Sequence, residues 1–205
     1  MSTEAYEFAH GIEREIKKLT NEEFFTRKGR VKRLREELFP LSRLGLHFAQ
    51  PGLKVSVESC GVSSPPDGHI KISGYRMEEH QVEVTYVRSY EDSLRDELLY
   101  TVGASPGMGP IEREKATRQV VARQAGTDRD AQVAALASAI RARYHAKASK
   151  NYPAGGILLI AFHDITFYGF SAWRDLIARI GAVPARPFKR VYLLNCPTNE
   201  LQTIA

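Results

Sequence analysis

Six consecutive apolar residues, Ile157-Leu158-Leu159-Ile160-Ala161-Phe162, constrain this chain more than any other segment. The run is much shorter than the roughly 18 residues of a membrane span. It therefore reads as a strand with no polar face, which must be covered on both sides by helices. Ser171–Ile180 follows with a helical pattern and Phe188–Leu194 with another strand pattern. This β-α-β succession implies a crossover and a partly parallel sheet.

Upstream, Phe8, Ile12, Ile16 and Leu19, then Phe24, Val31, Leu34 and Leu38, recur at helical spacing from about Glu4 to Phe39. Asn21 is the expected cap of the second stretch and Pro40 its expected end. Leu53–Val57 alternates as a strand does. Ser63-Ser64-Pro65-Pro66-Asp67-Gly68 breaks regular structure, and His69–Gly74 and Gln81–Val87 alternate again as a β-hairpin. Ser89, with Asp92 three residues on, starts a helix that Gly103 ends. A second helix is expected from Pro110 to Gly126. A third, capped by Thr127 with Asp130, is expected to run to about Ser149. The expectation is an α/β fold: a mixed sheet flanked by helices, with extra helices after the third strand.

With 205 residues and 43% hydrophobic content, the chain can fill one domain, residues 1–20 reading as an N-terminal helical extension. No apolar run is long enough for a membrane, and the charged N-terminus lacks the apolar core of a signal peptide. The two cysteines, Cys60 and Cys196, lie far apart without metal-ligand spacing and read as reduced thiols of a cytoplasmic protein. The net charge of +5 permits a polyanionic partner without demanding one. Arg27, Lys28, Arg30, Lys32, Arg33 and Arg35 cluster on one stretch, either a solvated helix face or a phosphate-contacting one. The histidines show no zinc spacing.

Two carboxylates stand out within this frame. Asp67 sits at the bend entering the hairpin, and Glu83 lies inside an otherwise apolar strand. There an ionised group is costly unless it is paired or bound to a metal. Alternation puts Ile70, Ile72, Val82, Val84 and Tyr86 on one face, and His69, Lys71, Ser73, Glu83 and Thr85 on the other. A turn centred near Glu78 would set Lys71 opposite Thr85. Simpler readings stay open: Asp67 as a turn residue before Gly68, Glu83 on a half-exposed sheet, and Lys71 as a solvated strand lysine.

Pro66-Asp67, a short gap and Glu83-x-Thr85 in an apolar strand resemble the core motif of the PD-(D/E)XK (restriction endonuclease-like) nuclease superfamily. The element order across residues 20–165 is similar to its αβββαβ core. The resemblance implies that Asp67 and Glu83, with the carbonyl of Val84, bind Mg²⁺ or Mn²⁺, and that Glu37 (or Glu36) adds a helical carboxylate. The implied activity is hydrolysis of DNA phosphodiester bonds, the ion polarising the phosphate and activating a water. In place of the lysine that the family carries two residues after the strand acid stands Thr85. Lys71 is the first candidate to replace it, and Lys147 or Lys150, beside Tyr152, the second. Arg30, Arg33, Lys147 and Lys150 are candidate nucleic-acid backbone contacts. The alternative is a catalytically inactive module of the same fold that binds nucleic acid or a protein partner. A homodimer is compatible with either. The Ala104–Gly109 loop lacks the Lys-Ser/Thr of a phosphate-binding P-loop, and His163 and Asp164 are neighbours that point to opposite faces of a strand.

Overall fold

The computed structural model describes residues 2–61, 65–106, 109–122, 128–150, 152, 154–164, 170–184 and 186–205, with the side chain of Phe170 excepted. The elements are β1 (Thr3–Glu4), α1 (Ala5–Lys17), α2 (Asn21–Thr26), α3 (Arg30–Arg33), a π-helical turn (Leu34–Leu38), α4 (Phe39–Phe48), β2 (Leu53–Ser59), β3 (Gly68–Gly74), β4 (Glu78–Val87), α5 (Tyr90–Thr101), β5 (Ile111–Arg113), β6 (Val120–Ala122), α6 (Arg129–Ala148), β7 (Ile157–Phe162), α7 (Phe170–Ile180), β8 (Arg190–Asn195) and β9 (Glu200–Thr203). Seven strands form one mixed sheet in the order β1-β2-β3-β4-β7-β8-β9, and β5-β6 make a separate ribbon. The strands β4, β7 and β8 run parallel to one another, and the remaining pairs of the large sheet are antiparallel. No helix among the described residues is long and apolar enough to cross a membrane.

All six residues of β7 are buried, and alternation divides them between two helical layers. Ile157, Leu159 and Ala161 join Val82, Val84, Ile70 and Ile72 in packing against Ala5 of α1 and Leu41, Leu44 and Phe48 of α4. Leu158, Ile160 and Phe162 pack with Val133, Ala137 and Ile140 of α6 and Trp173 and Leu176 of α7. Two glycines let α4 lie close to the sheet. A Cβ on Gly45 would stand 2.6 Å from Val57 Cγ2, and one on Gly68 would stand 2.5 Å from Leu41 Cδ2.

Local chemistry departs from expectation at several points. Thr20, not Asn21, caps α2: its hydroxyl accepts from the Glu23 amide, and the Glu23 carboxylate accepts from the Thr20 amide. Pro40 does not end the helix. A proline inside a helix lacks an N–H and crowds the carbonyl four residues back, and the wider π turn before Pro40 takes up that mismatch. The helix expected from Pro110 is instead the β5-β6 ribbon. Ile111 is buried and pairs with Ala122, while the β-branched Val120 and Val121 favour an extended chain. Arg113 anchors the ribbon to α5 through Glu97, 2.9 Å from Nη1. The Ser89–Asp92 capping box forms as expected. The cap of α6 is Asp128; Gly126 and Thr127 lie outside the described residues.

Candidate functional site

The hairpin register brings the two acids together. Gly68 pairs with Val82, so Asp67 and Glu83 face each other one step beyond the last rung. Asp67 Oδ2 accepts a hydrogen bond from the Val84 amide at 2.7 Å, and its carbonyl accepts from the Cys60 amide at 2.9 Å. These two bonds tie the bend to both neighbouring strands. Glu83 stands in register with Leu158 of β7, on the face covered by α6, and is 6% exposed. From α6, Lys147 donates to Glu83 Oε1 at 2.5 Å, and the Tyr152 hydroxyl donates to the same oxygen at 2.9 Å. The other oxygen, Oε2, is buried without a hydrogen-bond partner among the described residues.

Glu37, on the π turn, lies near enough to Asp67 to feel its charge. Burial pushes its carboxyl above the usual range, and the nearby Asp67 carboxylate pushes the same way, against the pull of Arg33. Asp67 is likewise raised, first by burial and then by Glu83, although the Val84 amide opposes this. Burial, and after it Glu83, also raises the Tyr152 hydroxyl. The pocket therefore disfavours its own negative charge. Glu36 points elsewhere, toward Arg27 at 3.9 Å, which also pairs with Asp96 at 3.1 Å.

Lys71 shares the face expected of it but not the place. The turn is centred on Tyr75, so Lys71 pairs with Glu79 rather than Thr85, four residues before Glu83 on β4. At about 3.3 Å per residue that is roughly 13 Å along the strand. Its side chain is 55% exposed and forms an ion pair with Glu79 at 3.3 Å. Lys147 brings the cation to Glu83 instead, while Lys150 is exposed just beyond the end of α6. Thr85 is buried in register with Ile160. Arg30 reaches back to Glu15, and Arg33 donates to the Cys60 carbonyl and pairs with Glu37 at 3.5 Å. His163 and Asp164 follow β7, where Asn195 exchanges hydrogen bonds with the Asp164 backbone. In the Ala104–Gly109 loop, residues 107 and 108 lie outside the described residues. Both cysteines are free. The bond from Tyr152 to Glu83 spans 69 residues, and no local pattern announces it.

Among the described residues, no three His, Cys, Asp or Glu side chains are grouped to hold a metal ion. The donors that do converge are two carboxylates and the β4 backbone. Such a set suits a hard cation that completes its shell with water and phosphate oxygens. The unpartnered Glu83 Oε2 and the raised Asp67 carboxyl both fit the approach of a cation. Compared with models of protein families, with curated proteins and with solved structures, the chain matches none of them.

Proposed function

We propose that this chain is a divergent nuclease-like domain of the PD-(D/E)XK type, hydrolysing DNA phosphodiester bonds with Mg²⁺ or Mn²⁺. The observation that carries the reading is the convergence of Asp67, Glu83 and Lys147 at the mouth of the hairpin, with Glu83 Oε2 left without a donor. Asp67, Glu83 and the Val84 carbonyl would hold the ion, and Glu37 adds negative charge nearby. When bound, the ion polarises the phosphate and lowers the pKa of a water. Lys147 supplies the positive charge that Thr85 cannot, beside the place where negative charge develops on a phosphate. Tyr152 and Lys147 together hold Glu83 Oε1, which leaves Oε2 to face the ion.

A second reading keeps the fold without the chemistry: a module that binds nucleic acid or a protein partner. The Lys147–Glu83 ion pair favours it, because the ammonium is already engaged by a carboxylate.

A calorimetric titration with Mn²⁺ separates the two readings. Saturable binding that disappears in Glu83→Ala supports the metal-dependent enzyme. DNA binding indifferent to metal and steeply dependent on salt supports the module.

A further inference from the structure

A groove with a volume of about 440 Å³ opens beside the acids, its wall including Glu37, Val84 and Thr85. From the acids into this groove, two elements step in the same direction. Along β4 the order is Glu83, then Thr85, with Arg88 just past the end of the strand; along α6, read toward its N-terminus, it is Lys147, then Arg143. Arg143 and Lys147 are four residues apart, so they share a helix face about 6 Å apart along the axis. Lys32 enters from α3 and Arg143 from α6. Both are exposed, and neither closes an ion pair among the described residues. The acidic residues of the wall are already engaged, Glu36 with Arg27 at 3.9 Å and Glu37 with Arg33 at 3.5 Å.

At the far end of the groove lies Tyr90, the first residue of α5, 67% exposed. Its side chain stands open to solvent there. Cations that track a backbone, followed by an aromatic face, are the two components of a single-strand binding channel. A duplex shows no such face a free base to stack on.

We infer that this groove holds one unpaired DNA strand leading away from the acidic site, with Lys32 and Arg143 on its phosphates and a base stacked on Tyr90. The inference rests on the nuclease reading for the position of the scissile phosphate. It makes the substrate a single strand, or the unpaired part of a branched or frayed duplex.

The test is fluorescence anisotropy in EDTA, with a short labelled DNA strand and the blunt duplex of the same sequence. The strand should bind more tightly than the duplex. Tyr90→Leu should weaken strand binding about 5- to 150-fold, the range for loss of one stacked base, while Tyr90→Phe keeps it. Lys32→Ala and Arg143→Ala should each lower the salt slope by about 0.7. Equal or tighter duplex binding, or a Tyr90→Leu protein that binds as the wild type does, overturns the proposal. Because no metal is present, the nuclease reading is judged separately by cleavage. A chain that cuts but prefers duplex loses only the groove, and one that binds strands through Tyr90 without cutting loses only the nuclease.

Discussion

Lys147 and Glu83 lie 64 residues apart in sequence and form an ion pair beneath α6, the carboxylate side chain only 8% exposed. Removing the ammonium leaves a buried charge supported by Tyr152 alone. Lys147→Met should therefore destabilise the fold by about 3 kcal/mol in urea unfolding, the low end for a broken buried pair. Adding Glu83→Gln should recover most of that loss, because the uncompensated charge goes too. Additive losses would show that the two groups do not interact.

Tyr152 gives an independent check of the same oxygen. Tyr152→Phe deletes a hydrogen bond to a charged acceptor and should cost about 1.5–3 kcal/mol. An unchanged unfolding midpoint would place the hydroxyl away from Glu83 in solution.

Asp67 sets a pH dependence. Its carboxyl is raised above its ordinary value of 3.8, chiefly by burial, so the folded state holds the proton more tightly than the unfolded chain. By linkage, Asp67 costs no stability below its ordinary value and progressively more as pH rises through its folded value. Asp67→Asn keeps an acceptor for the Val84 amide but cannot ionise. It should raise the Tm at pH 7.5, and the gain should vanish at acid pH. The gain should also shrink when Mn²⁺ is added, since the ion stabilises the wild type alone. A variant less stable than the wild type at pH 7.5 would contradict the burial argument.

Much of the fold was legible because its signals are local or periodic. The apolar run Ile157–Phe162 dictated a sheet covered on both faces. Parity alone placed Val82 and Val84 in one core and turned Glu83 away from it. Expectation and structure part where the deciding contact is distant in sequence. Parity fixed the face of Lys71 but not its position along the strand, because the turn is centred on Tyr75 rather than Glu78. The cation that does reach Glu83 comes from α6, and only the packing of α6 on the sheet reveals which of its lysines points inward. Pro40 signalled a stop that the π turn absorbs, and Pro110 a helix start that the buried, strand-forming Ile111 overrides.

The two-faced burial of β7 makes its own prediction. Leu158→Ala and Leu159→Ala remove side chains from opposite cores, both fully buried. Each should cost about 2–5 kcal/mol, and neither should be tolerated as a surface change would be. A loss below about 1 kcal/mol at either position would mean that one face of the sheet is not packed.

The nuclease reading meets its most direct test in a cleavage assay with purified protein, DNA and Mg²⁺ or Mn²⁺, comparing the wild type with Asp67→Ala at matched folding by circular dichroism. The wild type should cut only with metal, and Asp67→Ala should lose the activity. Cutting that survives Asp67→Ala, or no cutting of single-stranded or double-stranded DNA by the wild type, would contradict it.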